Sequence, residues 1–345
     1  MLASTACFLG LVVACQVIRW LLLAFTAQLG TTTLKKDLHA LQALAQWHAK
    51  HVQHRTTRDI ETYYTATTDR DYRLLRACVG PGMHSRMSLP GTGLSWAAGN
   101  VPALVLAAMR IDIADANAKV LEFGCGRGFC TLAMAALAPR VQFLGVDATS
   151  AHIRTARSAA GGASYANSQF VHGDGTCVLR STAGLDGVFA VEALCHLRGS
   201  KERRRFLWTV GQNLRPGARL VMLDGFRTDG FAACDENTQT ALEIAERGMH
   251  IFPLSTPREW IDTAETVGLG LVLEQDCTQR VLPFWRVGWR VARTLLPLAR
   301  LLTAVSGGSG RGVHSVGNLL AAATTAHAMQ EGAATYRLLV FERVV

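Results

Sequence analysis

The chain has 345 residues, 49% of them hydrophobic, which excludes a minimal single domain and suits one α/β domain with additions at each end. Its formal charge of +9 points to nucleic acid, an anionic membrane surface or an anionic ligand as partner. Nucleic acid is set aside, because there is no Lys/Arg-rich recognition helix and no RNA-binding aromatic signature, whereas basic residues flank apolar stretches as at a membrane surface.

In chain order, residues 6–29 (ACFLGLVVACQVIRWLLLAFTAQL) are long and apolar enough for a bilayer-spanning helix, interrupted by Gln16 and Arg19. An Arg at mid-bilayer costs about 2.5–3.5 kcal/mol, which the surrounding Leu and Phe residues can offset. No basic residue precedes the run, as a signal peptide would require, and Lys35, Lys36, Lys50, Arg55 and Arg58 follow it. Residues 1–33 are therefore expected to be a membrane anchor with the following domain cytosolic; a helix lying on the domain or in the interface is the alternative. Residues 34–110 read as a helical cap region. Leu38, Leu41, Leu44 and Ala45 form one stripe on a first helix, with His39, His48, His51 and His54 read as solvated decoration rather than a metal site. A second helical stretch covers 57–75, a Gly/Pro-rich loop follows, and Pro102 can open a helix through Met109. Residues 111–275 alternate short β-branched runs with helical runs, the pattern of a doubly wound, mostly parallel sheet with helices on both faces. The region 276–345 is apolar. Within it, 281–303 is a basic amphipathic helix carrying Arg286, Arg290 and Arg293 with Trp285 and Trp289, kinked near Pro297; it reads as a membrane-surface element or lid, or as an ordinary packed helix. A helix over 316–330 and a strand from Thr335 close the region. The nine cysteines include no C-x-x-C pair, so small buried thiols are expected, with no disulfide framework and no metal site.

The chemistry-bearing signals lie in the middle region. A strand, KVLEF, runs into Gly124-Cys125-Gly126-Arg127-Gly128 and then a helix, so backbone can approach a ligand at the carboxyl end of a strand. The strand Val141–Val146 ends in Asp147, a carboxylate able to accept from two ribose hydroxyls, with Ala148 beside it. Phe170-Val171-His172-Gly173 leads to Asp174 and Gly175; this Asp can accept from an exocyclic amine or simply cap a turn. The strand over 185–191 delivers Glu192 to the same rim, and Leu214-Arg215-Pro216-Gly217 turns into the next strand.

In this order, residues 119–226 resemble the class I S-adenosylmethionine-dependent methyltransferases, E-F-G-C-G-R-G matching their first motif and L-R-P-G-A-R-L their last. The resemblance implies a Rossmann-like fold and S-adenosylmethionine as cofactor. It implies that Glu122, Gly124, Cys125 and Gly126 line the methionine and ribose end, that Asp147 and Ala148 lie at the ribose, that Asp174 and Gly175 face the adenine, and that Glu192 borders the cofactor. A narrower resemblance joins Val188–Leu197 to the E-A-T-C-H-A-P segment of sterol C24-methyltransferases and related triterpenoid methyltransferases. Tyr63-Tyr64, Thr68-Asp69 and Tyr72 are similar to that family's Y-Y-D…T-D-x-Y region, and Met83-His84 to its aromatic-His segment. Tyr72-Arg73-Leu74-Leu75-Arg76 departs from its Y-E-x-G-W-G run, Asp147 stands where Asn is frequent, Leu194 replaces Thr, and Leu197-Arg198 replaces Ala-Pro. These departures bear on the sterol substrate more than on the reaction class.

The expectation is therefore methyl transfer to a carbon of a hydrophobic isoprenoid lipid, at an endoplasmic-reticulum membrane. Glu192 and His196 are the candidates for base and proton relay, and Tyr63, Tyr64, Tyr72 and Phe129 the aromatic faces for a developing cation. A quinone or tocopherol head group, an unsaturated fatty acid, a small polar metabolite or a protein remain alternative acceptors, and a non-catalytic cofactor-binding module is a third reading.

Overall fold

The computed structural model describes residues 38–51, 57–68, 85, 87, 100–161, 165–306 and 312–344. The expected anchor over 1–33 lies outside the described residues, as do Tyr72 and Met83-His84. Among the described residues, no helix is long and apolar enough to cross a membrane.

Among the described residues, three helices precede the sheet: α1 (Leu38–His51), α2 (Thr57–Thr68) and α3 (Asn100–Met109). Strands and helices then alternate: β1 (Lys119–Phe123), α4 (Phe129–Leu137), β2 (Gln142–Asp147), α5 (Ser150–Ala160), β3 (Ser168–His172), α6 (Gly175–Arg180), β4 (Leu185–Val191), α7 (Gly199–Asn213) and β5 (Leu214–Arg227). They are followed by α8 (Glu236–Gly248), α9 (Pro257–Glu265), β6 (Leu269–Asp276), α10 (Thr278–Ser306), α11 (Gly312–Gln330) and β7 (Ala334–Arg343). One seven-stranded sheet has the order β3-β2-β1-β4-β5-β7-β6. The first five are parallel, and β7 runs antiparallel to both β5 and β6. This is the doubly wound arrangement expected from the alternation of runs.

The central strands are apolar on both sides because both faces are covered. Val120, Phe143, Phe189 and Val221 pack toward α3, α4 and the C-terminal helices. Their neighbours Leu121, Val188, Leu220 and Met222 point the other way, toward Phe206 of α7 and Trp260 of α9. Strand order reverses between β1 and β4, which opens a crevice above their carboxyl ends.

The flanking helices correct one expectation. The stripe Leu41, Leu44, Ala45 buries against α8 and α11 as expected. His48 falls one further turn along that same stripe, so it is not a solvated residue; it is buried, 5.7 Å from the His250 ring. The helix over 281–303 is longer than expected and includes Pro283 and Pro297. Its inner side packs on the domain: Val281, Leu282, Ala292 and Leu296 are buried, and Trp285 and Trp289 lie partly buried against the core. Its outer side carries exposed Arg286 and Leu295.

Candidate active site

A cavity of about 400 Å³ lies at the carboxyl ends of β1, β2 and β4, where the strand order reverses. Its floor is the glycine loop. Gly124, Gly126 and Gly128 all have positive φ, at 71°, 53° and 82°. The constraint is tightest at Gly124, where an added Cβ would sit 2.4 Å from the Ala193 Cβ. Asp147, at the end of β2, ties the loop down: its Oδ2 accepts the Gly126 N–H at 2.9 Å, and its Oδ1 accepts the Thr149 N–H at 2.8 Å and faces His152 Nδ1 at 3.2 Å. Burial pushes the Asp147 carboxyl up, but His152 and the two backbone donors outweigh it and hold the group below the usual carboxylate range. A charged acceptor thus stands ready at the strand end.

Glu122, on β1, has the opposite character. It is buried and accepts from the Thr131 hydroxyl. Burial pushes its pKa up to about 8, partly offset by Thr131 and reinforced by Asp147, so it holds a proton at neutral pH. Its folded value lies above the ordinary value of 4.5, so the stability it contributes is present below that value and is lost as pH rises through about 8. Glu122→Gln should remove up to about 1.4 kcal/mol per pH unit of that dependence between those limits, read from denaturant unfolding at a series of pH values. An unchanged slope would exclude Glu122 as its source.

The third wall carries acid–base groups. Glu192 has φ of 48°, and its Oε1 accepts from the Ser85 N–H at 2.7 Å and the Tyr336 hydroxyl at 2.8 Å. His196 Nε2 pairs with the Tyr64 hydroxyl at 2.8 Å. Part of the His196 ring surface opens on the cavity, but Nδ1 is shut from solvent, facing the His250 carbonyl outside ordinary hydrogen-bond geometry. Burial pulls the His196 pKa down to about 4, against the opposing influence of Asp147 and that carbonyl. The imidazole is therefore neutral, a weak base that takes up a proton only from a strongly acidic donor such as a substrate cation.

Among the expected site residues, Tyr64, Glu122, Gly124, Cys125, Gly126, Asp147, Ala148, Asp174, Gly175, Glu192 and His196 line this one cavity, with Phe129. Asp174 also caps α6, accepting the Cys177 N–H at 3.0 Å. Burial pushes the Cys125 thiol up, so it is a neutral wall group. Tyr63 is not a cavity residue. Neighbouring helix positions diverge by roughly 100°, so when Tyr64 faces the cavity Tyr63 stacks on His250 with centroids 4.1 Å apart and donates to Asn318. Thr131, His152, Ser85 and Tyr336 are partners the sequence reading missed. Only His152, five positions after Asp147 on the next helix, left a local signal.

Residues 120–217 match the family model described as a methyltransferase domain. The chain is an S-adenosylmethionine-dependent methyltransferase. No curated protein matches the methyltransferase by sequence. Solved structures share its fold. They include the [4+2]-cyclase SpnF (17% identity, TM-score 0.61, covering 84% of this chain and 97% of that one). The cyclopropane synthase MmaA2 from Mycobacterium tuberculosis is 12% identical, with TM-score 0.60 over 76% of this chain and 90% of that one. The geranyl diphosphate C-methyltransferase from Streptomyces coelicolor A3(2) is also 12% identical, with TM-score 0.55 over 76% and 92%. A cyclase among them means that this fold does not by itself name a reaction. The residues present fit the cofactor. The cavity is within the size range of small-molecule sites, glycine backbone forms its floor, and the charged Asp147 on its wall is an acceptor of the kind vicinal hydroxyls would need. When bound, the cofactor supplies an electrophilic methyl group.

Proposed function

We propose that this methyltransferase alkylates a carbon of a hydrophobic isoprenoid lipid, sterol-like or triterpenoid. The observation that carries the reading is the neutral His196–Tyr64 pair beside the Glu192 carboxylate on the cavity wall. Methylation of a hydroxyl or amine removes a proton from the attacking atom. Methylation of an alkene forms a C–C bond, leaves a cation on the substrate, and ends when a carbon-bound proton passes to a base. The cation needs aromatic faces and a base shielded from water; Tyr64 and Phe129 offer the first, and His196 with Glu192 the second. Solved structures of the same fold described as a geranyl diphosphate C-methyltransferase and a cyclopropane synthase agree with carbon as the acceptor. Residues 1–33 would hold the enzyme on the endoplasmic-reticulum membrane with the catalytic domain cytosolic, which suits an acceptor dissolved in lipid.

The test is transfer of a radiolabelled methyl group on membranes containing the full chain, supplied with lipid extracts. Label should enter the nonsaponifiable fraction. Asp147→Ala should weaken cofactor binding about 10–100-fold, the loss of charge-assisted hydrogen bonds, and remove the label at limiting cofactor. Label confined to polar or protein fractions would overturn the lipid reading.

A further inference from the structure

We infer that Asp224 is a positioning residue for methyl transfer: its carboxylate fixes the turn that carries His196 against the strand end that carries Glu192. The inference rests on the acid–base reading of those two residues.

Asp224 lies on β5, the strand beside β4, and is 3% exposed. Both of its oxygens are used. Oδ2 accepts the Leu194 N–H at 2.9 Å, and Oδ1 accepts the Gly225 N–H at 2.8 Å. The Cys195 N–H is directed at the same carboxylate. The short turn Leu194–His196 receives no side-chain cap from Ala193 before it, so the restraint on its opening N–H comes from β5. One residue earlier on β5, the Leu223 carbonyl accepts the Glu192 N–H at 2.9 Å. Consecutive residues of one strand thus grip the segment 192–196 at its start and at its middle. The segment needs that grip, because Glu192 sits at φ 48°, a left-handed conformation that a non-glycine residue keeps only when its surroundings impose it.

The location separates positioning from chemistry. Asp224 does not line the cofactor cavity; it borders a separate narrow crevice behind the turn, with Phe226 and Trp260. Among the described residues, the titratable groups facing it are Glu192 just past β4, Cys195 from the turn and Tyr336 from β7. Burial, then the Glu192 charge, pushes Asp224 up to about 7, while the three backbone donors pull the other way. A residue serving only to fill space would avoid that cost with an apolar side chain.

The test is kinetic and spectroscopic on the full chain. Asp224→Asn offers one acceptor and one donor to two N–H groups and must break one of the two bonds. It should lower kcat about 10–100-fold, the scale of a small misplacement of a reacting group, while the KM and Kd for S-adenosylmethionine stay unchanged. The ring resonances of His196 in histidine-labelled protein should move with it. If the Asn variant fails to fold, Asp224→Ser, which keeps one acceptor, is read in the same way. Unchanged kcat, or parallel loss of kcat, cofactor affinity and Tm, would overturn the positioning role. If His196→Gln and Glu192→Gln both leave turnover intact, the acid–base reading fails and this inference with it. If they lower turnover and Asp224→Asn does not, only the positioning role fails.

Discussion

His196→Gln is expected to lower kcat by about 10²–10⁴-fold, the usual contribution of a general acid or base, with little change in affinity for S-adenosylmethionine. Glutamine can still pair with the Tyr64 hydroxyl, so the loss isolates the ability to take up a proton from the ability to hold Tyr64 in place. The direction of the His196 pKa matters here. At about 4 the ring is neutral throughout the physiological range, so the wild-type enzyme should not lose turnover through this group until pH falls toward that value. Steady-state kinetics with a calorimetric cofactor titration would check both halves. Wild-type turnover in the variant would remove His196 from the chemistry.

Gly124→Ala should abolish cofactor binding and turnover together. Two costs combine. A left-handed backbone at φ 71° costs a non-glycine residue about 1–2 kcal/mol. The new methyl also arrives 2.4 Å from the Ala193 Cβ, and Ala193 leads directly into the turn bearing His196. Relief of the clash moves either the loop or that turn. Gly217→Ala is the matched control: its φ is 76°, but nothing lies within 4 Å of an added Cβ. It should lower Tm slightly and leave calorimetric cofactor binding intact. Equal losses in both variants would mean that backbone strain alone, and not contact with Ala193, governs the loop.

The contrast between those glycines bears on what a sequence discloses. The strand–glycine loop–helix unit and the strand ending in Asp147 were legible because each is a short contiguous pattern set by backbone sterics. The sheet followed from the alternation of apolar and helical runs, and β7 was visible as a terminal apolar run. Its position between β5 and β6 was not, since strand pairing leaves no local mark. Glu192 and His196 could be proposed from a motif, but the groups that set their state could not. Tyr336 reaches Glu192 across 144 positions of sequence, and Tyr64 reaches His196 across 132. Tyr63 illustrates the same boundary. Two adjacent tyrosines on a helix announce that one faces the interior, and only the packing of α2 decides which. His48 was misread because a histidine one turn beyond an apolar stripe was judged by its polarity rather than by its position on the stripe.

The place of β7 in the sheet has a consequence for the order in which the enzyme becomes competent during synthesis. β7 is made after the other six strands of the sheet, yet it lies between β5 and β6 and brings the hydroxyl that restrains Glu192. The hydrogen bonds that tie the glycine loop to Asp147 join residues that leave the ribosome much earlier, but the core beneath β1 and β2 is one cluster with Ala328, Tyr336, Leu338 and Val340. The cofactor floor and the proton-handling wall therefore gain their support together, and the arrival of β7 completes both.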